Sequence, residues 1–183
     1  MIDKIGITLF RFDNKEIMDS IESKLKDLSV SVSFDLVQEK TINQNLKSYN
    51  IARNEKIKFD ALKEKCIELG LDDFTQIKQK RTRYISNIKC KKIVLSILSL
   101  SSDQVIVLDD SFLNDDSYYL IDAIKKISNN KKVIILTNKK PSNEFKNDTA
   151  IEIDESNCND IVDNLIKDFE LSKKRTRWIP STF

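Results

Sequence analysis

The hydrophobic pattern in the second half of the chain is typical of buried strands that alternate with helices. Runs of four aliphatic residues at 105–108 and 133–136 predict strands buried on both faces, and residues 150–153 predict a shorter strand. Between the first two strands, apolar residues at helical spacing predict a helix that Asn114 caps. Strands and helices that alternate in this way indicate right-handed crossover connections and a parallel sheet.

The first half shows a weaker pattern. Residues 4–12 and 30–37 predict strands, and Asp13 or Asn14 can cap a helix between them. A helix over residues 57–69 should end at Gly70, where a left-handed cap is favoured. The polar stretch 38–54 is expected to be irregular or partly helical. Two further helices are predicted, a long one over residues 81–100 and an amphipathic one over residues 159–171.

Length and composition favour one α/β domain. The chain has 183 residues, of which 40% are hydrophobic, enough to fill a core. Neither a repeat nor a low-complexity linker interrupts it. We therefore expect a single domain over residues 1–183, built on a mostly parallel sheet with flanking helices, with a helical insertion at about residues 40–90.

Several kinds of catalytic site are excluded by composition. The sequence has no histidine, so Ser-His-Asp and Cys-His couples and imidazole metal sites cannot be built. Its two glycines, Gly6 and Gly70, cannot form a glycine-rich phosphate loop. The cysteines Cys66, Cys90 and Cys158 lack CxxC spacing and are expected to be small buried residues in a reducing cytoplasm. We expect no signal peptide and no membrane span.

Two acids, Asp109 and Asp110, follow the aliphatic strand at 105–108. In P-loop proteins that hydrolyse nucleotides, a carboxylate at such a strand end holds magnesium and the next acid positions water. With Asp115 and Asp116 they supply hard oxygen ligands, which favours a structural calcium ion, although these last two acids can equally serve a helix N-terminus. Asp109 and Asp110 are the predicted metal ligands.

The order of these elements resembles the back half of ABC-type ATPases. Residues 67–74 resemble the entry to their helical subdomain, and Gln38 lies where those proteins carry a glutamine loop. The phosphate-binding loop, however, is replaced by residues 10–16, which contain no glycine, and the signature before the long helix is replaced by residues 81–87. Asp110 stands where a glutamate would follow. The resemblance therefore implies a retained scaffold without ATPase activity, and we expect no enzyme.

Among such degenerate relatives, residues 57–141 are similar to the small accessory adaptation protein of type II-A CRISPR loci, above all at residues 104–113. This resemblance implies a cytoplasmic, non-catalytic protein of antiviral defence that binds the ends of double-stranded DNA during spacer acquisition. It also implies a homo-oligomeric, tetrameric ring that uses calcium for assembly. The partners that it implies are CRISPR adaptation and effector nucleases.

Clusters of basic residues are compatible with DNA binding, although each one alone is more often a solvated face. The residues predicted to contact DNA are Lys78, Lys80, Arg81, Arg83, Lys131, Lys132, Lys139, Lys140, Lys173, Lys174, Arg175 and Arg177. Lysines and arginines total 31 against 29 acids, so binding requires the positive charge to be sorted onto one surface. The alternative function is a catalytically silent ABC ATPase subunit of a transport or immunity complex.

Overall fold

The centre of the protein is a five-stranded sheet in which every pairing is parallel. The computed structural model describes residues 5–12, 14–19, 21, 31–113, 117–138 and 149–153, and also residues 157, 160, 163, 164 and 167. The strands lie in the order β2-β3-β4-β1-β5. Their bounds are β1 (Gly6–Phe12), β2 (Ser31–Val32), β3 (Val105–Asp109), β4 (Lys132–Thr137) and β5 (Thr149–Ile153).

Helices flank the sheet, and most of them lie in the stretch between β2 and β3. They are α1 (Ile42–Arg53), α2 (Phe59–Glu68), α3 (Phe74–Ile77), a 3-10 turn (Thr82–Tyr84), α4 (Asn87–Leu100), α5 (Asp110–Leu113) and α6 (Ser117–Ser128). Residues 15–19 and 21 are also helical. No helix in the described ranges combines the length and the apolar character that crossing a bilayer would need.

Alternate residues of the central strands build two cores, one on each face of the sheet. Leu9, Ile106 and Ile135 pack in the larger core with α2, α4 and α6. Their sequence neighbours Phe10 and Ile134 pack in the smaller core, with Met18 and Ile21 of the first helical segment. The aliphatic runs of β3 and β4 are buried on both faces, which confirms the sequence prediction and the parallel arrangement.

The polar stretch before residue 54 contains a regular helix, α1. Thr41 and Gln44 form a reciprocal capping box at its start, and only three of its residues are buried. One of these is Asn45, whose Oδ1 accepts from the Val37 amide at 2.8 Å and whose Nδ2 donates to the Val37 carbonyl at 3.2 Å. Because a polar side chain anchors this helix, its apolar pattern is weak.

Two predicted elements are shorter than the sequence pattern indicated. The strand predicted over 30–37 is limited to β2, because beyond it the Val37 amide bonds to Asn45 rather than to a neighbouring strand. The long helix predicted from residue 81 begins instead at residue 87. Residues 82–84 form a 3-10 turn, because the amide and hydroxyl of Thr82 bond to carbonyls of residues 40 and 37.

Several local predictions are confirmed. Gly70 has a φ of +81°, and the amides of Gly70 and Leu71 bond to Ile67 and Cys66 in the paired pattern that ends many helices. Helix α6 buries Leu120 and Ile124, as its spacing predicted. Of the helix predicted over 159–171, residues 160, 163, 164 and 167 are helical; its other positions, Cys158 and the Asn114 cap lie outside the described residues.

Candidate functional site

The carboxyl edge of the sheet is the first candidate site. Because the strands are parallel, β1, β3 and β4 end at the same edge, at Phe12, Asp109 and Thr137. Open α/β sheets bind their ligands in the crevice outside this edge. The predicted metal ligands, Asp109 and Asp110, therefore lie where a ligand would bind.

The carboxylate of Asp109 accepts hydrogen bonds from other groups of the protein. Asp109 is only 8% exposed. Its Oδ1 accepts from the Ser33 hydroxyl at 2.9 Å and from the Phe112 amide at 3.1 Å, and its Oδ2 accepts from the Ser111 hydroxyl. The side chain thereby holds the segment that follows β2 and the first turn of α5.

Asp110 connects the ends of two neighbouring strands. Its Oδ2 accepts from the backbone amide of Asn138, directly after β4, at 2.9 Å. In the described part of the chain, no three acidic or cysteine side chains converge as they would around a metal ion. Asp115 and Asp116 lie outside that part, so calcium at this loop stays a prediction.

The turn after β1 does not fit a nucleoside triphosphate. Only two residues separate Phe12 from the helical residues 15–19. Asn14 caps this segment, since its Oδ1 accepts from the Glu16 amide at 2.8 Å. A phosphate-binding loop needs glycines and free backbone amides, and no glycine lies between Gly6 and Gly70. The residues present therefore supply no cradle for a nucleotide and its magnesium ion.

A second candidate site is formed by four of the residues predicted to contact DNA. Lys78, Lys80, Arg81 and Arg83 precede α4 within one short segment. Lys80 and both arginines are exposed, and Lys78 is half-buried. We call residues 78–84 the basic turn. It lies between β2 and α4 along the chain.

Backbone and side-chain hydrogen bonds fix the basic turn against residues 37–41. The Thr82 hydroxyl donates to the Val37 carbonyl at 2.8 Å, and the Thr82 amide donates to the Lys40 carbonyl at 3.0 Å. The Arg83 amide donates to the Gln38 carbonyl at 3.1 Å, and an antiparallel bridge joins Arg81 to residue 41. The turn is thus held in one conformation although its side chains are exposed.

A single acid lies between the two arginines. Glu39 accepts from Arg83 at 2.9 Å and from Arg81 at 3.4 Å. The Arg83 guanidinium also lies 4.7 Å from the ring centroid of Tyr84 and donates to its hydroxyl at 2.7 Å. One carboxylate shared by two guanidinium groups leaves the turn with an excess of positive charge.

The prediction that Lys131 contacts DNA is wrong, because its side chain is buried and hydrogen-bonded. It is 8% exposed, and its ammonium donates to the carbonyls of Leu98 at 3.1 Å and of Ser101 and Asp103 at 2.7 Å each. Three acceptors fill the three donors of an ammonium group, so Lys131 caps α4 rather than contacting phosphate. The Lys132 side chain is also buried, within β4.

The remaining predicted contacts lie outside the described residues. They are Lys139, Lys140, Lys173, Lys174, Arg175 and Arg177.

Sequence reasoning overlooked Glu39 and Tyr84 as parts of the basic turn. The sequence offers one signal for Tyr84, the adjacency of an aromatic residue to two arginines within residues 81–84. It offers none for Glu39, which is 42 residues from Arg81 and meets it only through the fold.

A polar cluster beside α1 was also overlooked. The Asp103 carboxylate accepts from Arg53 at 2.9 Å and from the Ser31 hydroxyl at 3.0 Å. These bonds tie the end of α1 to the edge strand β2. A groove of about 370 Å³ lies beside them, lined by both apolar and polar residues of 31–37 and α1, among them Phe34 and Tyr49.

The fold is that of ABC-ATPase nucleotide-binding domains, as comparison with solved structures shows. An ABC transporter ATP-binding protein from Pyrococcus furiosus superimposes with a TM-score of 0.61 at 16% identity, over 82% of this chain and 86% of that chain. A cobalt transport ATP-binding protein superimposes with a TM-score of 0.57 at 13% identity, over 82% of this chain and 66% of that chain. No family model and no curated protein matches the sequence.

Proposed function

We propose that this chain, which has an ABC-ATPase-like fold, is a non-catalytic protein that binds double-stranded DNA independently of sequence. The observation that carries the proposal is the basic turn, which presents Lys78, Lys80, Arg81 and Arg83 on one exposed and fixed segment. Following its resemblance to type II-A accessory proteins, we propose that it acts in the cytoplasm during CRISPR spacer acquisition.

The carboxyl edge of the sheet supports the absence of nucleotide chemistry. The Asn14 side chain accepts from the Glu16 amide, at the helix start where a phosphate would bind. The Asp109 carboxylate accepts hydrogen bonds from three donors of the protein itself. A scaffold of this kind retains the packing of an ABC ATPase while its catalytic edge serves only to hold the loops together.

The basic turn supports phosphate contact without base readout. Lysine and arginine side chains neutralise phosphates, which fixes the position of a protein on a duplex and carries no sequence information. Arginine is suited to this role because its planar guanidinium binds phosphate through two donors. Since the backbone of the turn is fixed by the bonds to residues 37–41, little ordering is required when DNA binds.

Assembly and partners enter the proposal through the same resemblance. We propose a homo-oligomeric ring that encloses a DNA end and works with CRISPR adaptation and effector nucleases. In such a ring each subunit contributes one basic turn, so that several weak phosphate contacts add to a stable complex.

A binding experiment with linear duplex DNA tests the proposal. Affinity should fall steeply with salt, with a log–log slope of about −0.9 per phosphate contact. Reversing the charge in the double variant Lys80→Glu with Arg81→Glu should lower affinity equally for all sequences and reduce the slope. The matched control is the double variant Lys56→Glu with Lys125→Glu, which reverses the charge of two exposed lysines outside the basic turn. Linear duplex should also be retained better than a closed circle if a ring threads onto ends.

A second candidate function is a silent ABC ATPase subunit of a transport or immunity complex, which the names of the two solved structures favour. Failure to retain linear duplex at low salt, together with co-purification of a membrane permease, would replace the DNA proposal with this one.

A further inference from the structure

Tyr84 is an exposed aromatic residue on a segment that is otherwise fixed. Tyr84 is 65% exposed, while Thr82 within the turn and Ile85 directly after it are buried. The amide of Tyr84 donates to the Arg81 carbonyl at 3.0 Å within the 3-10 turn. The protein therefore holds a large aromatic ring in solvent at a defined position, and packing of the core does not explain it.

The orientation of the ring is also fixed. The Arg83 guanidinium, 4.7 Å from the ring centroid, donates to the Tyr84 hydroxyl at 2.7 Å and to Glu39 at 2.9 Å. Glu39 thus positions the arginine, and the arginine positions the ring. An aromatic ring beside a guanidinium group is the combination on which nucleic-acid bases stack in many single-strand binding proteins.

We propose that Tyr84 stacks on an unpaired base next to the duplex, so that the preferred ligand is double-stranded DNA with a single-stranded overhang. This inference rests on the proposed function for the phosphate contacts made by the basic turn. Within a duplex, each base is covered on both faces by its neighbours, whereas an unpaired base has a free face for the ring. The arginines and lysines around Tyr84 would bind the phosphates that flank this base.

The experiment compares the affinity of the full chain for a blunt duplex and for the same duplex with a short thymine overhang. The wild type should bind the overhang duplex about five- to tenfold more tightly, the gain expected from stacking one base. Tyr84→Ala should remove this preference, so that the ratio of overhang affinity to blunt-duplex affinity falls to about one. Tyr84→Phe should retain most of the preference, because it keeps the ring and loses only the hydroxyl that accepts from Arg83.

The matched control is Tyr118→Ala, which removes a tyrosine of equal exposure, 66%, from α6. It should leave the preference intact. A second measurement needs no variant: 5-bromouracil in the overhang should crosslink on irradiation to the wild-type protein within residues 81–84.

The outcomes separate the two proposals. If the protein binds the blunt duplex and the overhang duplex with equal affinity, or if the crosslink forms outside residues 81–84, the stacking role is overturned and the proposed function stands. Binding of the overhang duplex through Tyr84 with no binding of the blunt duplex would overturn the proposed function, which requires contacts with duplex DNA alone, and leave the stacking role standing. No binding of any of these DNAs would overturn both.

Discussion

The hydroxyl of Ser33 donates a 2.9 Å hydrogen bond to Oδ1 of Asp109. This bond links the segment that leaves the edge strand β2 to the acid that ends β3. Strand β2 pairs with β3 over only two residues, so the side-chain bond extends a short backbone connection. A carboxylate at the end of such a strand holds magnesium in P-loop proteins that hydrolyse nucleotides, and here it accepts bonds that hold the sheet edge together.

We expect Asp109→Asn to destabilise the protein more than Asp110→Asn. Asp109 accepts from Ser33, Ser111 and Phe112, and an amide in its place would set its NH2 group against some of these donors. Asp110 accepts a bond from the Asn138 amide. The loss of unfolding free energy should be about 1–3 kcal/mol for Asp109→Asn and smaller for Asp110→Asn in urea denaturation. Equal losses would show that the three bonds contribute little.

The same variants test calcium at this loop. We expect calcium to raise the melting temperature of the wild type more than that of the double variant Asp109→Asn with Asp110→Asn, since carboxylates are the ligands that calcium prefers. Magnesium at the same concentration serves as the control for a general ionic effect. If calcium shifts both proteins equally, these acids are not its site.

Stability should depend on pH through Lys131. Burial lowers the pKa of Lys131 from 10.5 to about 8, while the nearby Asp103 and Glu55 carboxylates act in the opposite direction. Between about pH 8 and 10.5 the unfolded chain keeps this proton and the folded chain loses it, so the lysine contribution to stability rises with pH, by at most about 1.4 kcal/mol per unit.

The measurement compares unfolding free energies of the wild type and Lys131→Met from pH 7.5 to 9.5. The difference between the two proteins should grow in favour of the wild type as the pH rises. A difference that stays constant over this range would mean that the three carbonyl acceptors keep the ammonium charged and that burial does not dominate.

We further predict that magnesium ATP does not bind. The Asn14 side chain caps the segment after β1, and the sequence from residue 10 to residue 16 contains no glycine. Isothermal titration should give no heat above dilution, and ATP should not shift the melting temperature. Micromolar affinity would contradict the prediction and revive an ATP-dependent role in a transport complex.

The sequence predicted best where apolar residues alone determine the structure. Strands β3 and β4 lie where uninterrupted aliphatic runs placed them, because a strand buried on both faces favours aliphatic residues at successive positions. Helix α1 could not be delimited in this way. It buries Ile42, Leu46 and the polar Asn45, and its boundary depends on hydrogen bonds to residues 37–41.

The sequence identified many of the residues of the candidate sites, but it did not predict which other residues they contact. The two acids at the end of β3 were identified from the aliphatic run that precedes them. Two of their donors, the Ser33 hydroxyl and the Asn138 amide, are far away in sequence. Charge alone could not distinguish Lys131 from Lys80. The Lys131 ammonium is enclosed by carbonyls of residues 98–103, whereas Lys80 is exposed. The difference arises because the fold brings the end of α4 next to Lys131.

The enclosed ammonium of Lys131 has a consequence for chemical reactivity. An acylating reagent attacks only an accessible, deprotonated amine, so Lys131 can react only when the end of α4 separates from the loop before β4. Its rate of acylation, divided by that of the exposed Lys125 on α6, would report the free energy of that local opening. The reactivity of this one buried lysine would therefore measure how stably the end of α4 packs against the segment that enters β4.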